Sequence, residues 1–100
     1  MADSAFIERL ETLIRSRIEE SSDQSYTAKL ASGGILAVAQ KVGEEGVELA
    51  LAGVAQSEVD VLNESADLIY HLLVLLALRG ISFASVVETL EQRHLAQSAK

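Results

Sequence analysis

In the stretch Val38 to Leu49 the residues Val38, Val42, Glu45 and Leu49 follow a 4-3-4 spacing, the stripe of a helix that buries one face. Glu45 stands where that pattern asks for an apolar residue. At about 100° per residue, Lys41, Glu44, Glu45 and Glu48 share one side of two helical turns. Farther on, Asp60, Glu64, Asp67 and His71 form a second narrow row that continues into Leu75, so polar groups again replace core residues. Side chains three or four apart on a helix have Cβ atoms only ~5–6 Å apart, so Glu45 and Glu48 can converge on one point, as can Glu64 and Asp67. Two such pairs on facing helices make a four-carboxylate cluster, which repulsion and desolvation both oppose and which a divalent cation resolves. All its ligands are oxygens, a set that selects a hard ion, Mg²⁺ or Mn²⁺, over zinc. Mg²⁺ keeps part of its water shell and commonly binds substrate phosphates, so the chemistry this spacing suggests is metal-assisted phosphoryl hydrolysis.

Simpler readings exist for each of these residues. Acids along a helix usually form a solvated face, and Glu44 or Asp60 alone would carry no more than that. The joint pattern is different because Glu45 and Glu64 interrupt apolar stripes. Lys41 either pairs with Glu45 four residues on or neutralises a phosphate. His71 is expected to be a hydrogen-bonded core histidine rather than a ligand. Glu91-x-x-His94 has the form of the Glu-x-x-His motif of di-iron bundles, but those use two copies and only one is present, in a terminal segment.

The elements that must hold these groups are helices. Phe6, Leu10, Leu13, Ile14 and Ile18 recur at helical spacing, and Asp3 or Ser4 is placed to cap a helix over about 4–20. Ser21 to Thr27 is polar and aperiodic, which predicts a connection. Gly33-Gly34 punctuates the chain, and a short helical turn fits between the two. A long run over about 34–55 follows, rich in Ala, Leu and Val. Ser57-x-x-Asp60 has the form of a capping box and opens a helix over about 57–80, which Arg79-Gly80 ends. Ser82 can cap a last helix with Phe83, Val86, Val87 and Leu90 on one face, and the tail after His94 is expected to fray. No strand signal competes. The fold class expected is all-α, a small antiparallel helical bundle in a single domain over 1–100, with the two central helices forming a tight hairpin.

Composition narrows the partners. With 8 Lys+Arg against 15 Asp+Glu the formal net charge is −7, which argues against nucleic acid or an anionic membrane as the main partner. The absence of Cys excludes a disulfide scaffold, a thiolate-ligated metal and a thiol nucleophile. Met1 to Leu10 lacks both a basic start and a continuous apolar core, so no targeting segment is expected and the cytoplasm is the default location. The longest apolar stretch, Leu68 to Leu78, is half the ~20 residues needed to cross a bilayer and reads as a buried helix.

Glu44-Glu45-x-x-Glu48, fifteen residues, then Glu64-x-x-Asp67 resembles the signature of the MazG-like all-α nucleoside-triphosphate pyrophosphohydrolases. Ser25-Tyr26-Thr27-Ala28-Lys29-Leu30, Gln40-Lys41-Val42-Gly43-Glu44-Glu45 and the run Asn63 to Leu76 resemble more specifically the phosphoribosyl-ATP pyrophosphohydrolase family of histidine biosynthesis, over about residues 5–94. The resemblance implies a MazG-like bundle completed by homodimerisation, with helices of both subunits enclosing each site. It also implies Mg²⁺-dependent hydrolysis of 1-(5-phosphoribosyl)-ATP to 1-(5-phosphoribosyl)-AMP and pyrophosphate. Carried over residue by residue, Glu45, Glu48, Glu64 and Asp67 would hold the metal. Glu44 would be a further ligand through water or would orient the attacking water. Tyr26, Lys29, Lys41 and Asn63 would contact phosphate or ribose. Gly46 departs from the small helix former expected in the motif and would loosen the helix around the ligands. Two rivals share parts of the pattern. A hydrolase of ordinary or damaged nucleotides needs the acids but not the longer strings, and a non-catalytic helical module would merely have an acidic groove.

Overall fold

The computed structural model describes residues 3, 5–20 and 25–98. Its elements are five α-helices: α1 (Phe6–Glu20), α2 (Tyr26–Ser32), α3 (Gly34–Ala55), α4 (Glu58–Leu78) and α5 (Phe83–Ser98). Among the described residues there is no strand, and the all-α bundle expected from periodicity is the observed class.

The helix ends are set by local chemistry. Asp3 accepts the Ala5 N–H on its carboxylate and the Phe6 N–H on its carbonyl, both at 3.0 Å, so it caps α1; the alternative cap, Ser4, lies outside the described residues. Residues 21–24 of the expected connection also lie outside them. The connection is shorter than expected, because Ser25 caps α2 by accepting the Ala28 N–H at 3.0 Å, which puts Tyr26 and Thr27 in a helix. A side-chain cap satisfies a backbone donor that a seven-residue helix can ill leave unpaired. Gly33 then closes α2, and a Cβ there would stand 2.9 Å from the Ala37 Cβ, so the close turn between α2 and α3 requires a glycine.

Only Gln56 and Ser57 join α3 to α4, and the expected capping box is present: the Ser57 hydroxyl accepts the Asp60 N–H at 3.2 Å while the Asp60 carboxylate accepts the Ser57 N–H at 3.4 Å. At its far end α4 stops at Leu78 rather than Gly80. The Gly80 N–H reaches the Ala77 carbonyl at 3.1 Å and the Ile81 N–H the Leu76 carbonyl at 2.9 Å, a Schellman closure that needs the positive φ of Gly80, 69°.

Ile14 of α1, Val38 of α3, and Leu73 and Val74 of α4 form the fully buried centre, flanked by Leu10, Ile18, Leu30 and Phe83. Helix α4 is the hub, packing on α3, α1 and α2. It is long and apolar enough to cross a bilayer by length and composition, yet it carries the acidic row and half-buries most of the Leu68–Leu78 stretch within the bundle. Helix α5 is tied to α1 by the Phe83 N–H donating to the Glu11 carboxylate at 2.7 Å. Its expected apolar face is only partly covered: Phe83 and Val86 are half-buried, Val87 and Leu90 exposed. Of the tail after His94 that was expected to fray, residues 95–98 are helical in α5, and residues 99 and 100 lie outside the described residues.

Candidate metal centre

The hairpin sets the two acidic rows facing each other. On α3 the buried residues are Val38, Glu45 and Ala52, each seven positions from the next, which is the seam one helix presents to another. Glu45 is therefore carried into the α3–α4 contact by its apolar neighbours and is only 6% exposed. One carboxylate oxygen each from Glu45, Glu48 and Glu64 lie within 4.8 Å of one another. Glu48 is the exposed member and Glu64 the half-buried one.

Two oxygens in this group, Glu45 Oε2 and Glu64 Oε2, are buried and have no hydrogen-bond partner. Buried carboxylate oxygens are rarely left so, because each loses its hydration without replacement. The other Glu45 oxygen is engaged: Lys41 Nζ lies 3.6 Å from Glu45 Oε1 and 3.8 Å from Glu44 Oε1. Desolvation lowers the Lys41 pKa, but Tyr26, Glu44 and Glu45 outweigh it and hold the ammonium above its ordinary value. One side of Glu45 thus faces a fixed cation, and the other presents an unpaired oxygen beside two more carboxylates. An all-oxygen, acid-rich set of this kind fits a hard divalent ion.

The remaining candidates are distributed around this point. Glu44 is exposed on α3, accepts from Gln40 Nε2 at 3.5 Å and pairs with Lys41 across 3.8 Å. Asp67, one turn beyond Glu64, is exposed, and its carboxylate is not one of the three that converge. Asp60, first in the α4 row, is spent on the capping box. Asn63 is exposed beside Glu64, and Lys29 is exposed on α2. Gly46 is not required by packing, since a Cβ there would meet nothing within 4 Å.

His71 is the hydrogen-bonded core histidine expected: 6% exposed, with Nδ1 2.7 Å from the Asp67 carbonyl and Nε2 2.8 Å from the Tyr26 hydroxyl. Sequence reasoning did not find the Tyr26–His71 contact or the neighbouring hydrogen bond between the Thr27 and Tyr70 hydroxyls. The available signal was two adjacent hydroxyl residues at the start of one helix and a Tyr-His pair inside another. Nor did it find the cavity of about 330 Å³ that Tyr26, Thr27 and Tyr70 line with Leu10, Leu13 and Arg17.

A family model described as phosphoribosyl-ATP pyrophosphohydrolase matches residues 7–94. The chain is 54% identical over 87 residues to a phosphoribosyl-ATP pyrophosphatase of Pyrobaculum calidifontis, covering 87% of this chain and 93% of that protein. It is also 54% identical over 93 residues to a histidine biosynthesis bifunctional protein of Xanthomonas campestris pv. campestris, covering 93% of this chain and 45% of that protein. A phosphoribosyl-ATP pyrophosphatase of Ignicoccus hospitalis is 46% identical over 95 residues, 95% of this chain and 93% of that one. The chain therefore spans somewhat under half the length of the bifunctional relative and nearly all of the other two.

Proposed function

Because the chain belongs to the phosphoribosyl-ATP pyrophosphohydrolase family, we propose that it hydrolyses 1-(5-phosphoribosyl)-ATP to 1-(5-phosphoribosyl)-AMP and pyrophosphate, the second step of histidine biosynthesis, in the cytoplasm. The observation that carries this reading is the convergence of Glu45, Glu48 and Glu64 with two buried, unpartnered oxygens. These three residues, with Asp67 one turn along α4, would hold Mg²⁺, for which Mn²⁺ could substitute. When bound, the ion neutralises triphosphate charge and stabilises departing pyrophosphate.

The chain's own side chains do the rest. Lys41 keeps Glu45 oriented by engaging its Oε1 and adds a fixed positive charge next to where phosphate oxygens would lie. Glu44, exposed and carrying free acceptor capacity, orients the attacking water. The water oxygen forms the new bond to phosphorus as the bond to the pyrophosphate oxygen breaks, and a carboxylate of the cluster takes the water proton. Lys29, Tyr26 and Asn63 would contact phosphate and ribose around this centre.

The active unit in this reading is a homodimer. On α3, Leu36, Val47, Leu51 and Val54 recur on one helical face and are 83%, 61%, 59% and 88% exposed. On α4, Val59, Leu62 and Ile69 form a comparable exposed stripe. Apolar stripes of this extent on the two helices that bear the acids support burial against a second copy.

The test is pyrophosphate release, with and without Mg²⁺, from phosphoribosyl-ATP beside ordinary and deoxy nucleoside triphosphates. Mg²⁺-dependent preference for phosphoribosyl-ATP is expected. Preference for a free triphosphate would move the activity to the nucleotide pool, and no release from any substrate would refute the reading.

A further inference from the structure

The buried polar groups that the carboxylates do not use lie where α2 meets α4. His71 sits in the same row as Glu64 and Asp67 but one turn deeper, just before the core residues Leu73 and Val74. A leucine there would simply bury apolar surface, whereas an imidazole loses its hydration and must find partners for two ring nitrogens. Both are satisfied in a way that fixes the tautomer. Nδ1 faces a backbone carbonyl, which only accepts, so Nδ1 carries a proton. In that tautomer Nε2 is an acceptor, and the Tyr26 hydroxyl donates to it.

The contact is one half of a double fastening. Tyr26 and Thr27 open α2, and their hydroxyls reach His71 and Tyr70, which are likewise consecutive on α4. Helix α2 is only seven residues long and cannot hold its own orientation, so these bonds place it. The result for Tyr26 is unusual: its hydroxyl is anchored against a buried group while the residue remains 54% exposed. Its ring packs 6.2 Å from Tyr70 and edge-on to His71 at 5.9 Å. One part of Tyr26 lines the 330 Å³ cavity with Arg17. Through His71 the ring is also tied to the acidic row of α4, since His71 Nδ1 lies 2.7 Å from the Asp67 carbonyl.

We propose that His71 is a positioning residue for substrate binding: through the Tyr26 hydroxyl it fixes the Tyr26 ring, between the Asp67 turn of α4 and the α1–α2 cavity, as the surface that receives the ribose of the substrate. This rests on the pyrophosphohydrolase reading above. Arg17, which has no ion pair among the described residues, gives the cavity a cation for a phosphate at the substrate's other end.

The experiment compares Tyr26→Phe, His71→Leu, His71→Gln and the double variant Tyr26→Phe/His71→Leu in the full chain. Tyr26→Phe and His71→Leu should each raise KM for phosphoribosyl-ATP about tenfold with little change in kcat, the signature of lost ground-state binding. The double variant should be no worse than the poorer single variant, because the two residues act as one unit. His71→Gln, whose amide oxygen can accept from Tyr26, should recover most of the affinity. Mg²⁺-induced thermal stabilisation should be unchanged throughout, which a general loss of fold would not allow. Independently of turnover, nitrogen NMR should show His71 protonated at Nδ1 and bare at Nε2, with the Nε2 resonance moving in Tyr26→Phe while that of exposed His94 does not. An Nε2-protonated His71, unchanged KM in Tyr26→Phe, or effects that multiply in the double variant would each overturn the inference while leaving the functional reading standing. An inactive wild type would remove both.

Discussion

Replacing Glu45 with leucine should make the metal-free protein more stable and the metal-loaded protein less so. In the absence of an ion, Glu45 Oε2 is a buried oxygen with no partner, and such a group costs about 1–3 kcal/mol. The compensation is slight. The pair with Lys41 spans 3.6 Å at a lysine that is 38% exposed, and a partly solvated i,i+4 pair contributes only ~0.3–0.5 kcal/mol. Leucine restores the apolar stripe Val38, Val42, Leu49 and removes one of three mutually repelling carboxylates. The net gain is about 1–2 kcal/mol. For a domain of this size each kcal/mol moves Tm by ~4–8 °C, so Glu45→Leu should melt about 5–15 °C above wild type in EDTA. Saturating Mg²⁺ reverses the order. An ion present at a hundred times its Kd stabilises the wild type by about 2.7 kcal/mol and the variant hardly at all, so the two melting temperatures should cross as Mg²⁺ is titrated. Glu45→Gln, which keeps the size and loses the charge, should lose the Mg²⁺ response in the same way. The assay is thermal unfolding at fixed protomer concentration, since the proposed dimerisation would also shift Tm. A Glu45→Leu protein less stable than wild type in EDTA would show that the carboxylate is satisfied as it stands. A full Mg²⁺ response in that variant would show that Glu45 is not a ligand.

Glu48→Gln should abolish Mg²⁺-dependent pyrophosphate release while leaving the metal-free melting curve almost unchanged, because Glu48 is exposed; retained turnover would refute its role. Ser57→Ala removes the α4 cap and should cost about 1 kcal/mol in urea unfolding with no change in KM. Desolvation lowers the Lys41 pKa but Tyr26, Glu44 and Glu45 together raise it, so the stabilisation from its pairs is complete below the ordinary value of 10.5 and lost as pH rises beyond it. Stability measured between neutral and strongly alkaline pH should therefore fall more steeply above that value in wild type than in Lys41→Met. Val54→Lys, at a position 88% exposed in the single chain, should shift the protein from dimer to monomer by light scattering, and an unchanged mass would place the interface elsewhere.

The helices were legible because their ends use local chemistry. Asp3, the Ser57–Asp60 box and the Arg79-Gly80 stop act within five residues of themselves, and apolar spacing supplied what lay between. The two departures have tertiary or short-range causes that periodicity does not register. Helix α2 is too short to show a period, and its start depends on one Ser25 side chain and on hydroxyls that reach α4 from 43 and 45 residues away. The tail after His94 reads as frayed because chain ends are poorly ordered unless tied down; Leu95 is 66% exposed in a helix, so burial is not what gives that turn its form.

The acidic site was legible for a different reason, which also explains why it was only partly so. A seam helix commits every seventh residue to the contact, and α3 spends these positions on Val38, Glu45 and Ala52. Two of them are ordinary packing choices, and the small side chain of Ala52 lets the helices approach. A glutamate between them is costly unless something in the seam meets its charge, which is why its presence there singles the position out. The same holds for Glu64, whose own oxygen is buried opposite. It does not hold for Glu48, Glu44, Asp67, Asn63 or Lys29, all of them exposed. An exposed acid or base incurs no desolvation that would demand an explanation, so nothing within a single chain distinguishes a substrate contact from a solvated face. The roles proposed for those five residues rest on family membership, joined for Glu48 by its convergence on the buried pair, whereas those proposed for Glu45 and Glu64 are also supported by the cost of burying a carboxylate in the seam.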